Sequence, residues 1–164
     1  MPVPVQDRPG SPSVEPLVSI LNDEDPEVRL ATVNALVKIG EPSVLPLIKA
    51  LTNGIGNVRK SASQALAQIN DSREVEPMLK ALHDGDVEVI AGGYQFFIKR
   101  GEKGSETALI SAFTKYGERE MALDFLNCRN GLLVDAATKW AHSNGYIIKP
   151  RQSGRYGPVW GSGQ

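Results

Sequence analysis

A single cysteine, Cys128, occurs in 164 residues, which excludes an internal disulfide, a CxxC pair and a multi-cysteine metal site. A reducing cytosol is the compartment that fits this usage. Aromatic residues are also scarce, at 6%, whereas the 41% hydrophobic share is drawn mostly from Leu, Val, Ile and Ala. That balance favours helices packed in close layers over aromatic-rich β architectures. No stretch approaches eighteen consecutive apolar residues, and the proline-broken segment from Met1 to Ser13 lacks the apolar run of a secretory signal. The chain is therefore expected to be neither exported nor membrane-spanning. A basic excess is missing too: residues 1–148 hold 15 bases against 19 acids, and the remaining bases, Lys149, Arg151 and Arg155, sit in the last sixteen residues. A chain that wraps nucleic acid needs a dense basic face, so nucleic acid is not expected as a partner.

What is present is a repeat of 30 to 31 residues. Pro16-Leu17-Val18 aligns with Pro46-Leu47-Ile48 and Pro77-Met78-Leu79, and Ala108-Leu109-Ile110 falls one period further. The second half of each unit aligns Val28-Arg29, Val58-Arg59 and Val89-Ile90, then Ala35-Leu36, Ala65-Leu66 and Phe96-Phe97. Apolar residues recur at three and four positions within each half, so each unit reads as two antiparallel helices. In the first unit the spacing assigns Val28, Ala31, Ala35 and Ile39 to the core face.

Boundary signals agree with this division. Asp25 can cap the second helix, with Pro26 in its first turn and Glu27 meeting the helix dipole, and Gly40 with Pro42 can close it. Asp86 and Glu88 repeat the acidic start in the third unit, whereas Asn53-Gly54-Ile55-Gly56 offers the second unit a weaker cap. A shortened fourth unit carries Met121, Ala122, Phe125 and Leu126, and Gly131 to Tyr146 reads as a capping helix that Gly145 stops. Three segments result: a flexible segment over 1–12, a repeat domain over 13–148 and a flexible, Gly-rich, basic tail over 149–164.

Asp25-Pro26-Glu27-Val28-Arg29, followed by Ala31, Ala35-Leu36 and Ile39-Gly40, resembles the HEAT-like repeats of the phycobilisome-lyase type, over roughly Pro12 to Tyr146. The resemblance implies an all-α fold, a short right-handed α-solenoid (α-α superhelix), and a role as a scaffold or binding module. It also implies a concave surface built from the second helices. On the side opposite the assigned core face, the rows Asn34-Gln64-Gln95 and Lys38-Gln68-Lys99 would line it, suiting an extended peptide or an acidic surface. Polar residues that merely solvate the helices are the competing reading.

The third unit departs most from its siblings, with Gly92-Gly93 inside an expected helix at about 1 kcal/mol per glycine. Either small Gly92 makes room for large Phe96 on the same face, or the glycines bend the helix and open a pocket beside Tyr94. Arg29 and Arg59 could pair with Asp23, Asp25, Asp84 and Asp86 between units. In the tail, Trp160 either anchors a partner or folds back on the last helix near Trp140 or Tyr146.

Enzyme motifs are lacking: there is no nucleophile elbow, phosphate loop or His-Glu-x-x-His. His83 and His142 lie far apart, each near a helix end. Asp84, Asp86 and Glu88 fail as a calcium loop, because Val89 and Gln95 stand where glycine and glutamate belong. The expected function is a non-catalytic, cytoplasmic, monomeric protein-binding module without cofactor. A bilin-attachment factor is the alternative from the resemblance, and a HEAT-like nucleic-acid repair protein is a further one. The candidate binding residues are Asn34, Lys38, Gln64, Gln68, Tyr94, Gln95, Lys99 and Trp160.

Overall fold

The computed structural model describes residues 14–148 and Trp160. The expected flexible segments over 1–12 and 149–164, Trp160 apart, lie outside the described residues. Among the described residues ten α-helices follow in order: α1 Val14–Ile20, α2 Pro26–Ile39, α3 Val44–Asn53, α4 Gly56–Ile69, α5 Val75–Asp84, α6 Val87–Gly92, α7 Tyr94–Arg100, α8 Glu106–Tyr116, α9 Arg119–Asn127 and α10 Gly131–Ser143. Single 3-10 turns at Glu41–Ser43 and Ser72–Glu74 lead into α3 and α5. No strand occurs among the described residues, and the helix pairs stack as an α-solenoid.

The boundary chemistry acts as read. Asp25 Oδ1 accepts the Glu27 N–H at 2.8 Å with Pro26 at the first helical position, and Gly40 closes α2 at φ 75°. Asp86 caps α6 through the Val89 N–H, while Ile55 gives α4 no side-chain cap. After α10, Gly145 takes a left-handed φ of 74°. Each cap satisfies a backbone group that the helix itself leaves open.

Second helices run side by side, α4 packing on α2 and α6 on α4, and α6 then meets α8. One core threads all the units, with Leu36, Leu47, Leu66, Ile90, Phe97, Leu109, Phe125 and Leu133 fully or almost fully buried. Each such side chain contributes about 1.5–3 kcal/mol by leaving water. At the far end α9 packs mainly on α10, and the rings of Phe113 and Phe125, 4.9 Å apart, fill the space between α8 and α9.

The expected core face of α2 needs correction. Its buried residues are Thr32, Val33 and Leu36, whereas Val28 and Ala31 are exposed and Ala35 and Ile39 only half-buried. The reason is positional. Ser61, Ala65, Gly92 and Phe96 occupy the slots of Ala31 and Ala35 and are buried, because that face packs on the preceding second helix. Among the described residues no unit precedes α2.

The long second helix expected in the third unit is broken. Gly93, at φ −95° and ψ 17°, separates α6 from α7, and the Phe96 N–H turns back to the Gly93 carbonyl in a 3-10 step. Gly92 is small for a reason other than Phe96. A Cβ there would lie 2.0 Å from the Lys60 carbonyl oxygen and 2.1 Å from Ser63 Oγ, so the backbone of α4 dictates the residue.

Of the two arginines expected to pair between units, only Arg59 does so. Arg59 joins Asp86 at 3.0 Å and Glu88 at 3.5 Å across the second and third units. Arg29 instead donates to the Asp23 and Glu24 carbonyls of its own turn, and Asp84 pairs with Lys80.

Candidate functional site

Successive second helices place a column of carboxamides along a cleft of about 430 Å³. Asn34 comes from α2, Gln64 and Gln68 from α4, and Tyr94 and Gln95 from α7, so five of the eight sequence-derived residues line one cavity. They share it because they lie on the faces of the second helices that the stack leaves open. Asn34 and Gln68 are exposed, and Gln64, Tyr94 and Gln95 half-buried. Leu30, Ala67, Ala91, Gly92 and Met121 supply an apolar floor.

The other three candidates lie elsewhere. Lys38 is exposed and lines neither cavity described here. Lys99 lies on α7 beyond the break at Gly93 and lines a second cavity, of about 320 Å³, with Phe96 and Arg100. Trp160 is half-buried against the core, and its backbone N–H donates to the Cys128 carbonyl at 2.8 Å. It thus folds back, but onto the end of α9, while Trp140 and Tyr146 stack on each other at 5.5 Å.

Residues of the fourth unit complete the cleft and were not singled out in the sequence. Tyr116, Glu118 and Glu120 close its far wall with Lys60 from α4. The Lys60 ammonium lies 4.8 Å above the Tyr116 ring and 3.6 Å from Glu118. Behind them, Asp124 accepts from the Tyr94 hydroxyl and from Gln95 Nε2, each at 2.8 Å. Burial, and after it the Asp124 carboxylate, drives the Tyr94 hydroxyl far above its ordinary range, so it stays a neutral donor. The break at Gly93 thus starts a new helix whose first residues, Tyr94 and Gln95, are held to the next unit. The signal for this wall was weak because the repeat pattern fades where α8 meets α9.

The wall is net acidic. Glu118 shares Lys60, whereas Glu120 forms no ion pair among the described residues and Asp124 is held by two neutral donors. No helix among the described residues is long and apolar enough to cross a membrane. His83 and His142 lie in the last turns of α5 and α10, away from the cleft.

No curated protein matches the chain. The family model described as HEAT repeats matches residues 14–95, half of the chain, and takes in the first two units and the third as far as Gln95. With the stacked helix pairs just described, this shows that the chain belongs to the HEAT-repeat family.

Proposed function

We propose that this chain is a non-catalytic binding module that holds an extended segment of a partner protein in the cleft. The observation that carries the reading is the column Asn34, Gln64 and Gln68, continued by Gln95, whose amide nitrogen already donates to Asp124, so that carboxamides from three successive units line one cavity. A side-chain amide offers a donor and an acceptor together, which matches the N–H and C=O of a peptide backbone. Helices stacked about 8–10 Å apart repeat that offer every two or three residues of an extended strand, which rises about 3.3 Å per residue. The acidic wall at Glu118 and Glu120, with Asp124 behind it, favours a peptide with a Lys or Arg side chain there over the acidic surface also considered from the sequence.

The test is selection of random peptides on the intact chain, followed by titration of the enriched peptides against the wild type and the triple variant Asn34→Ala, Gln64→Ala, Gln68→Ala. Loss of at least about tenfold in affinity, with helicity unchanged, supports backbone reading by the column. Enriched peptides that bind the triple variant as well as the wild type exclude the cleft.

A further inference from the structure

The residue just before α3, α5 and α8 occupies one slot of the repeat, three positions ahead of Pro46, Pro77 and Ala108. That slot holds Ser43, Glu74 and Ser105, and all three are buried. The serines settle their hydroxyls at once, Ser43 on the Leu36 carbonyl at 3.0 Å and Ser105 on the Glu102 carbonyl at 2.7 Å. A small hydroxyl therefore meets every demand the fold makes there. Glu74 brings a carboxyl that is 1% exposed. One of its oxygens, Oε2, accepts the Asp71 N–H at 3.3 Å in a capping box, and the other, Oε1, has no partner. An unpaired buried carboxyl oxygen is costly, and the sibling units avoid it.

Glu74 lines the 320 Å³ cavity, with Asn70, Asp71, Ser72, Phe96, Lys99 and Arg100 around it. With Glu74 ionised, two acids and two bases make the site neutral overall, but they are not equally available. Asp71 is held by Arg73 at 2.7 and 2.8 Å, and Arg100 by Glu102 at 3.3 Å. Lys99 is near enough for its charge to act on the Glu74 carboxyl, yet no ion pair joins them. What remains is one buried acceptor, one ammonium donor and the Phe96 side chain.

From this juxtaposition we propose that the cavity is a second binding site, distinct from the cleft, that takes a neutral carboxamide. Its N–H donates to Glu74 Oε1, which a turn of the carboxyl brings from its buried position to the cavity, and its C=O accepts from Lys99. A cation is disfavoured by Lys99 and Arg100, and an anion by Glu74 and Asp71, whereas a carboxamide satisfies both ends without bringing charge. At about 30 Å³ per water, the volume accommodates an Asn or Gln side chain or a small free amide. The two cavities share no lining residue, so this site stands or falls independently of the peptide reading.

The experiment is amide-shift titration of the full chain by NMR with N-acetyl-glutamine N-methylamide and with nicotinamide. N-acetyl-lysine N-methylamide and acetate serve as charged controls. Saturable shifts confined to Ser72, Val75, Lys99, Arg100 and their neighbours are expected from a carboxamide probe. Tighter binding of the glutamine probe marks a peptide side chain as the source, and tighter binding of nicotinamide marks a free amide. Glu74→Ser, the residue the sibling units already carry, should abolish the shifts. Lys99→Met, at a half-buried position, should weaken them about tenfold. Shifts that are absent, that survive in both variants, or that are stronger with either charged control overturn the proposal.

Discussion

The second and third units are built on the same two-helix plan, yet their second helices differ. In the second unit α4 is one uninterrupted helix of 14 residues that buries Ser61, Ala62, Ser63, Ala65, Leu66 and Ala67, so small residues let its neighbours come close. The third unit exploits that closeness, with Gly92 of α6 lying against the Lys60 carbonyl. It then breaks at Gly93 and restarts as α7, whose first two residues bond to Asp124 of the next unit. A regular second helix contributes its exposed face to the cleft, while a broken one sends one half to the cleft and the other to a separate cavity. Irregularity in a repeat stack thus marks where one unit acquires duties its siblings lack.

Substituting the contact that joins these two helices should have the largest effect. Gly92→Ala places a methyl 2.0 Å from a backbone oxygen that cannot swing aside. We expect a loss of about 3 kcal/mol from overpacking, a fall in Tm of about 10 °C by calorimetry. Gly93→Ala should cost less, because its Cβ meets the flexible Met78 methyl, at 2.2 Å, and its backbone angles suit alanine. Equal losses at the two positions would show that helix propensity, not the α4–α6 approach, governs the site.

The sequence made the repeat, the caps and the column of amides legible, because each rests on local spacing. Asp25, Gly40 and Gly145 act through neighbours in the chain, and Asn34, Gln64 and Gln95 share one register. What escaped depends on distant partners. Ala31 and Ala35 have the composition of a core face, but exposure is decided by whether a preceding helix covers it. The fate of Lys99 turned on a helix break six residues earlier, and Gly92 on an oxygen 32 residues away. Glu118, Glu120 and Asp124 lie where the repeat pattern fades, so no register could aim them at the cleft. Glu74 was detectable, since a 31-residue step from Ser43 and another to Ser105 isolate it as the exception.

Glu74 also separates the units by pH. Burial, its chief perturbation, pushes its carboxyl from 4.5 up to about 7. A folded value above the unfolded one means that stability is fully present below pH 4.5 and is lost as pH rises through 7. Glu74→Gln keeps the shape without the charge, so we expect it to match the wild type at pH 4 and to exceed it by about 2 kcal/mol at pH 8 in urea titrations. Glu88 bends the other flank of the profile. Hydrogen bonds from Tyr116 at 2.8 Å and from Lys115 at 3.1 Å hold it down to about 2, so its contribution is present above 4.5 and lost as pH falls through 2. The wild type should therefore be most stable near pH 5, and Glu74→Gln should flatten only the alkaline side. A variant that tracks the wild type at every pH would mean that Glu74 is solvated in solution.

The smallest effect sharpens the contrast by reversing its sign. Gly131 is also helical, at the first position of α10, where the Asn130 side chain accepts the Leu132 and Leu133 N–H groups and caps the helix. Its φ is not positive, and a Cβ there would meet nothing within 4 Å. Alanine should fit without strain while reducing the freedom of the unfolded chain, so Gly131→Ala is expected to stabilise by about 0.4–1 kcal/mol, or about 2 °C in Tm. One substitution, made in two helical glycines, then moves stability in opposite directions, because only Gly92 has another helix's backbone against it. If Gly131→Ala destabilises as well, alanine is penalised at helical glycines in this chain for reasons other than close approach, and the Gly92 result loses its meaning as a measure of how tightly α6 packs on α4.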